Sequence, residues 1–334
     1  MPRKKITIYD VAEKSGLSIA TVSRVLNNPE KVRQKTKDKV YAVMKDLGFI
    51  PKAEARERAK QHLGRIGIIS PCFTYPSFVH RLRGISNALV GTSFEMVIIT
   101  LNEIGDLDNY LRSMELTNRL DGLIILSQKL NSSSIDILKE LSIETVFVEF
   151  GEDSFPSICI DNKKGGELVA DYLLNKGYSS FSLLTEPEEK NSVHPNRMRS
   201  EGFQNQLELN GIVIEKNQIQ YASNNLEKAM ASAELILSKR KPGHAVFATT
   251  DFLAIAAIKT AKKLEINIPA DLGVIGFDGT NISEYLDLST VDQSLEESGK
   301  LAVELLLKRL RQPDTPIQTI FLPLRIIERD TIRK

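Results

Sequence analysis

Apolar residues in the first fifty positions recur at helical spacing in three short runs. These runs predict helices from residue 8, from residue 19 and from Thr36 to Leu47. Gly16 lies between the first two, where it can adopt the positive φ of a tight turn. Ser18 follows that turn and is a favoured N-cap residue for the second helix. The pattern predicts an all-α helix-turn-helix domain over residues 1–50.

A different pattern begins at residue 64, where short apolar runs alternate with amphipathic stretches. The amphipathic stretches that predict helices include Val79–Val90, Asp108–Arg119 and Gly165–Lys176. The runs that predict strands are Ile66–Ser70, Phe94–Thr100, Gly122–Ser127, Thr145–Glu149, Ser157–Ile160, Ser180–Leu184, Ala245–Ala248 and Leu272–Gly276. Alternation of this kind is typical of doubly wound parallel sheets, and about 270 residues suit two lobes. We therefore predict a two-lobed α/β body over residues 64–334.

Residues 51–63 separate these two regions and have no apolar face. Pro51 disfavours a helical Ile50, so the third helix ends before it. The stretch from Lys52 to Lys60 consists of good helix formers, but a helix without an apolar face is marginal in isolation. We assign residues 51–63 as a hinge.

Charge is distributed unevenly along the chain. Residues 1–62 contain 15 Lys/Arg and 7 Asp/Glu, whereas the remainder contains 29 Lys/Arg and 36 Asp/Glu. A basic segment joined to an acidic body is typical of nucleic-acid binding, so double-stranded DNA is the predicted partner. We see no apolar run that predicts a signal peptide or membrane span, and Cys72 and Cys159 lack metal-site spacing. A cytoplasmic location without membrane contact is expected.

The second predicted helix carries its chemistry on the face opposite its apolar stripe. That face holds Ile19, Ala20, Ser23 and Arg24. Small residues let a helix enter the major groove, and an arginine can bond the edge of guanine. An ordinary helical hairpin with a solvated face is the alternative that the pattern alone leaves open.

Several polar residues of the body follow predicted strands, where parallel sheets bind ligands. Glu149, Asp161 and Asp278 are placed in this way, and Arg199 lies just before a predicted helix. Carboxylates with an arginine suit the paired hydroxyl groups of a polyol. An aspartate after a strand also caps helices, which is the alternative for Asp161 and for Asp251.

The sequence shows no arrangement of residues typical of an enzyme. Its four histidines, at positions 62, 80, 194 and 244, are scattered, and no glycine pair has the ending of a Walker loop. We therefore predict no catalytic residue, no metal and no cofactor. A solute-binding protein would explain the body but leaves the basic first segment unexplained, and an enzyme on the same scaffold lacks a catalytic site.

The residues from Thr7 to Asn27 read Thr-Ile-Tyr-Asp-Val-Ala…Gly-Leu-Ser…Ala-Thr-Val-Ser-Arg-Val-Leu-Asn and resemble the lactose repressor/galactose repressor family. Gly276-Phe277-Asp278 and further segments extend the resemblance over nearly the whole chain. It implies a transcriptional repressor that binds a near-palindromic operator as a homodimer under control of a small-molecule effector, a carbohydrate. It also implies a body similar to periplasmic sugar-binding proteins. Control by a partner protein, as in catabolite-control members, is the alternative.

The resemblance further implies which residues form the two sites. The predicted DNA-binding residues are Thr7, Tyr9, Ser18, Ile19, Ala20, Thr21, Ser23, Arg24, Asn27, Arg33, Thr36 and Arg58. The predicted effector-binding residues are Phe73, Tyr75, Ser77, Glu149, Asp161, Arg199, Thr250, Asp278 and Gln293. Arg58 departs from the family, whose hinge carries a leucine that enters the minor groove. An arginine cannot act as an apolar wedge, but it can follow a narrow groove.

Overall fold

A computed structural model describes residues 8–27, 32–47, 64–70, 73–101, 104–115, 120–128, 130–187 and 195–334. The chain divides into two compact units, Met1–Leu63 and Gly64–Lys334. Among the helices in these described ranges, none is both long enough and apolar enough to cross a membrane.

The first unit contains three helices, α1 (Ile8–Ser15), α2 (Ile19–Asn27) and α3 (Gln34–Leu47). The hydroxyl of Ser18 accepts a hydrogen bond from the backbone N–H of Thr21 (3.2 Å), which is the cap that the sequence predicts for α2. The apolar faces of the three helices meet in a small core of Val11, Ala12, Val22, Val25, Val40 and Met44.

The third helix begins at Gln34, two residues before the predicted start at Thr36. The carbonyl of Arg33 already accepts the backbone N–H groups of Thr36 (3.0 Å) and Lys37 (3.2 Å). The first turn therefore closes around Arg33, and Thr36 lies inside the helix.

The second unit contains the strands and helices of the body. Its strands are β1 (Arg65–Ser70), β2 (Glu95–Thr100), β3 (Gly122–Leu126), β4 (Glu144–Val148), β5 (Ser157–Cys159), β6 (Ser180–Thr185), β7 (Ile219–Tyr221), β8 (His244–Ala248), β9 (Leu272–Asp278), β10 (Ser289–Asp292), β11 (Thr319–Phe321) and β12 (Arg325–Ile327). Its helices are α4 (Pro76–Leu89), α5 (Ile104–Glu115), α6 (Ser132–Leu141), α7 (Asn162–Asn175), α8 (Pro195–Leu209), α9 (Leu226–Leu237), α10 (Asp251–Lys263), α11 (Asn281–Tyr285) and α12 (Leu295–Arg311).

The strands form two sheets, one in each lobe. The first sheet has the order β11-β5-β4-β3-β1-β2 and the second β12-β10-β9-β8-β6-β7. Neighbouring strands are parallel except β12, which runs antiparallel to β10. Every residue of β3, β8 and β9 is buried, as expected for strands covered on both faces. The predicted two-lobed α/β body is confirmed.

The described chain passes between the two sheets three times. It crosses after β5, after β10, and between β11 and β12. The strands that flank these crossings are neighbours in each sheet, since β11 pairs with β5 and β12 pairs with β10. The carboxyl ends of β4, β5, β9 and β10 therefore lie near the junction of the lobes.

Candidate functional site

Helix α2 presents the predicted base-reading residues to solvent. Ala20 and Arg24 are exposed and the side chain of Ile19 is 43% exposed, whereas Val22 and Val25 on the opposite face are buried. Such a face, with small residues and one exposed cation, can enter the major groove of DNA.

Other predicted DNA-binding residues surround this helix. Tyr9 on α1 and Arg33 before α3 are exposed, and Thr36 is half-buried. Thr21 and Ser23, also half-buried, lie on α2. Thr7, the side chain of Asn27, and Arg58 with the rest of the hinge lie outside the described residues.

In the body, five polar side chains form a closed ring between the lobes, which we call the interlobe ring. Its members are Arg81 of α4, Glu149 directly after β4, Arg199 of α8, Asp278 at the end of β9, and Gln293 directly after β10. The first two belong to the first lobe, the next two to the second lobe, and Gln293 to a crossing segment. The ring therefore joins the lobes through side chains.

Glu149 links the two arginines of the interlobe ring. Its Oε1 lies 3.2 Å from Nη2 of Arg81 and 3.6 Å from Nη2 of Arg199. The hydroxyl of Ser127 donates to its other oxygen, Oε2. One carboxylate oxygen is thus shared by two guanidinium groups, one from each lobe.

Arg199 is held from several sides in the second lobe. Its Nη1 lies 3.3 Å from Oδ1 of Asp278 and donates to the carbonyl of Thr249 (2.8 Å), while Nε donates to Asn162 Oδ1 (2.8 Å). Its guanidinium stacks on the ring of Phe277, 3.9 Å from the centroid. These contacts fix the orientation of the guanidinium.

Gln293 closes the ring on the opposite side. Its Nε2 donates to Oδ1 of Asp278 (2.7 Å), and its Oε1 accepts from Nη2 of Arg81 (3.1 Å). The side chains of the ring are buried, and that of Arg81 is only 4% exposed. The cavity beside the ring, lined by Arg81, Glu149 and Gln293 among others, has a volume of about 10 Å³, room for about one water molecule.

Comparison with known proteins supports a common family for the whole chain. The family model of bacterial regulatory proteins, lacI family, matches residues 7–52, and the periplasmic binding protein-like domain matches residues 170–332. The HTH-type transcriptional regulator RegA of Clostridium acetobutylicum is 31% identical over 337 residues, which cover 98% of this chain and 99% of that protein. The chain belongs to the lacI family of bacterial regulatory proteins. It is a DNA-binding transcriptional regulator, and the predicted family membership and function are confirmed.

Two further relatives illustrate the range of this lacI family. The ribose operon repressor of Escherichia coli (strain K12) is 28% identical over 330 residues, 97% of this chain and 98% of that protein. A structure of the Lac repressor dimer bound to operator and the anti-inducer ONPF has a TM-score of 0.69, with 25% identity over 98% of this chain and 99% of that one. These relatives are transcriptional regulators, not enzymes. Among the described residues of this chain, no three His, Cys, Asp or Glu side chains are grouped so that they could hold a metal ion.

The two carboxylates of the interlobe ring differ in their pKa. Burial alone would raise the pKa of Glu149, but Arg81, Arg199 and the Ser127 hydroxyl outweigh it and hold the pKa below its ordinary value. Burial raises the pKa of Asp278 to about 8, because Arg199 only partly offsets the loss of hydration. At neutral pH the ring therefore contains two guanidinium charges, an ionised Glu149 and a largely protonated Asp278.

Three residues at or beside the interlobe ring have an unusual backbone conformation. Glu149 has φ of 75°, Asp278 has φ of 129°, and Ser127 has φ of 49°. Residues other than glycine rarely have a positive φ, and backbone strain of this kind is common where a structure positions functional groups. Each of these residues ends or follows a strand, so the turn out of the strand aims its side chain at the junction.

Two glycines allow close packing of the helices that carry the arginines of the interlobe ring. A Cβ at Gly299 of α12 would overlap the carbonyl oxygen of Arg81, and a Cβ at Gly166 of α7 would overlap that of Arg199. The missing side chains let α12 lie against α4 and α7 against α8 at close range, which brings each arginine into the junction.

The remaining predicted effector residues lie outside the interlobe ring. Asp161 caps α7 by accepting from the backbone N–H of Lys164 (2.9 Å), the alternative role considered for it. Thr250 caps α10 by accepting from the N–H of Leu253 (3.2 Å). Phe73, Tyr75 and Ser77 lie between β1 and the first turn of α4.

Asp251 is not the helix cap considered for it. It is the first residue of α10, and its Oδ2 accepts from the backbone N–H and the hydroxyl of Thr280, both at 2.8 Å. These hydrogen bonds hold the segment that follows Asp278 in place, so Asp251 stabilises the interlobe ring without being a member of it.

Arg81 is the ring member that the sequence prediction missed. It lies on the buried stripe of α4 with Phe78, Leu82 and Ile85, at the spacing of one apolar helix face. A cation within an apolar stripe is a usable signal, because a buried charge requires a partner.

Proposed function

We propose that this lacI-family protein binds a near-palindromic operator as a homodimer. The exposed face of α2, with Ile19, Ala20 and Arg24, reads base edges in the major groove. One helix-turn-helix unit covers one half-site, so a two-fold dimer on a near-palindrome follows from its size. We further propose that the protein acts in the cytoplasm, where it would meet its operator, and that it has no enzymatic activity.

The second part of the proposal is that a sugar or sugar derivative binds between the lobes and changes operator affinity. The interlobe ring is the observation that carries it. A ligand that enters the junction must exchange hydrogen bonds with Glu149, Arg199, Asp278 and Gln293, so it binds open and closed arrangements unequally. Unequal affinity for two arrangements is what allows a ligand to shift their populations.

Relatives support this choice of ligand class. One relative is a ribose operon repressor, and the Lac repressor dimer has been captured with operator and an anti-inducer together. Both carboxylates and a guanidinium in the ring suit sugar hydroxyls and their substituents.

Random DNA selection followed by gel shift tests the first part, and isothermal titration calorimetry with a panel of sugars tests the second. We expect enrichment of a two-fold symmetric sequence, bound by two chains. We also expect at least one sugar or derivative to bind and to change the gel shift. Selection without any enriched sequence would refute the DNA half, and a junction that binds none of the panel would refute the effector half.

A further inference from the structure

The first lobe contributes a second arginine to the junction in addition to Arg199. Arg81 reaches the interlobe ring from α4, and its Nη2 donates to both Glu149 (3.2 Å) and Gln293 (3.1 Å). Arg199 approaches the same oxygen of Glu149 at 3.6 Å from the other lobe. Two guanidiniums therefore compete for one carboxylate oxygen.

The hydrogen-bonding capacity of Arg81 is incompletely used. Its Nε is buried and has no hydrogen-bond partner in the described part of the chain, although the side chain is only 4% exposed. A buried donor without a partner is costly, and each such group in a native structure requires an explanation. Nε–H and one N–H of Nη2 together form the edge of the guanidinium that binds carboxylate or phosphate in a bidentate manner. An acid group that takes Nε–H therefore also replaces Glu149 or Gln293 at Nη2.

The charges at the junction also favour the binding of an anion. Asp278 is largely protonated at neutral pH, because burial raises its pKa to about 8. Glu149 is then the ionised group that faces both Arg81 and Arg199 within the ring, and Glu186, outside the ring, is a further carboxylate that acts on Arg199. A neutral sugar would leave this excess of positive charge in place, whereas an acid group would neutralise it.

We propose that the effector is an acidic sugar derivative, bearing a carboxylate or a phosphate, and that Arg81 binds its acid group through the unpartnered Nε edge while Arg199 contacts it from the second lobe. The inference rests on the proposed function, since it concerns the ligand of the same junction. It adds a ligand charge and assigns Arg81 as the residue that selects for it.

The test is calorimetry on the full chain with matched sets of probes that share one sugar. One set is glucose, gluconate and glucose 6-phosphate, and another is ribose and ribose 5-phosphate. We expect an acid member to bind at least about tenfold more tightly than its neutral partner, the size of effect expected for a hydrogen bond to a charged group. Gluconate against glucose 6-phosphate distinguishes carboxylate from phosphate.

Substitution of Arg81 separates a binding role from a purely structural one. Arg81→Gln should remove the preference for the acid over the neutral sugar, and Arg81→Lys, which keeps the charge, should restore part of it. Circular dichroism and thermal unfolding show whether each variant is folded. Arg83→Gln is the matched control, because Arg83 lies two residues away on α4 with its side chain 45% exposed and paired to Glu296.

The experiment distinguishes a failure of the acidic-ligand inference from a failure of the proposed function. Neutral sugars that bind as tightly as the acids, or an acid preference retained in folded Arg81→Gln, would overturn this inference and leave the effector site standing. If no probe of either kind binds, both the inference and the effector half of the proposed function fall. A gel shift with operator DNA on the same preparation tests the proposed operator binding independently.

Discussion

Arg199 and Glu149 form an ion pair across the two lobes, with Nη2 of the arginine 3.6 Å from Oε1 of the glutamate. Each has a second partner on its own lobe, the carboxyl group of Asp278 at 3.3 Å for Arg199 and the guanidinium of Arg81 at 3.2 Å for Glu149. The pair of Arg199 and Glu149 therefore links two contacts that would otherwise lie within separate lobes, as Gln293 does on the opposite side of the ring. Opening of the junction exchanges this link for contacts with ligand or water.

Loss of the Glu149 charge should destabilise the body strongly. Glu149→Gln leaves two buried guanidiniums without their shared anion, and breaking a buried pair in this way costs about 3–5 kcal/mol. Denaturant unfolding of the full chain measures the change. Glu297→Gln is the control, since its exposed pair with Lys300 should contribute about 0–1 kcal/mol. Equal effects of the two substitutions would contradict a structural role for the interlobe ring.

The charge state of Asp278 predicts a dependence of stability on pH. Burial raises its pKa to about 8 in the folded protein, whereas an unfolded aspartate has a pKa of about 3.9. The stability associated with this proton is fully present below about pH 4 and is lost as the pH rises through about 8.

Asp278→Asn mimics the protonated carboxyl and should remove this part of the dependence. Between pH 5.5 and pH 8.5, we expect the thermal midpoint of the wild type to fall more than that of the variant. Asp153→Asn, at an exposed position, should behave like the wild type. Parallel curves for wild type and Asp278→Asn would show that Asp278 is ionised throughout.

Because α12 packs closely on α4, Gly299→Ala should lower stability, the opposite of what helix propensity alone predicts. Gly299→Ala should raise helix propensity by about 1 kcal/mol, yet its Cβ would overlap the carbonyl oxygen of Arg81. Overpacking of this kind typically costs about 1–3 kcal/mol, so we expect net destabilisation and a weaker effector response. Chemical denaturation and calorimetry check both. The neighbouring exposed Lys300→Ala should change stability by no more than about 0.5 kcal/mol, and a stabilised Gly299→Ala protein would refute the close approach.

Base reading by α2 gives a prediction for DNA binding. Arg24→Ala should weaken binding to the selected operator by about 1–3 kcal/mol, the loss of one bidentate base contact, with much less effect on random DNA. Competition gel shifts measure both affinities. Lys45→Ala, an exposed cation at the far end of α3, is the control and should leave their ratio unchanged. If Arg24→Ala lowers both affinities equally, Arg24 contacts phosphate instead.

The hinge prediction concerns Arg58, which lies outside the described residues. An arginine in place of the family's leucine should bend the operator less, because a charged side chain does not wedge between base pairs. Arg58→Leu should increase bending, and Arg58→Ala should lower the salt dependence by about one phosphate per subunit. Circular-permutation gel mobility measures the bend. A strong central kink that persists in Arg58→Ala would assign the wedge to another residue.

The long strands and the first unit could be predicted from sequence because their patterns are local. The apolar run Gly122–Leu126 is buried on both faces, and the stripe of α2 repeats at helical spacing. Short edge strands such as Ile219–Tyr221 and Thr319–Phe321 were not predicted, since three residues carry no measurable period.

Four of the five interlobe ring residues were predicted individually, but their connection was not. Glu149 and Asp278 stood out because they follow or end strands. Arg199 stood out because it was predicted to precede a helix, although it lies inside α8, whose first turn begins at Pro195. Arg81 did not, because its partners Glu149 and Gln293 lie 68 and 212 positions away along the chain. Contacts over such separations follow from the crossing of the lobes, which no local pattern encodes.

The three crossing segments leave from adjacent strands at one edge of each sheet. Two bodies tied at three neighbouring points cannot slide or twist freely, so their relative motion reduces to rotation about the line of those ties. Contacts of the interlobe ring would then be lost in concert as the angle grows, instead of one by one. Such a hinge would therefore favour two arrangements of the lobes, shut and open, with few stable angles between them.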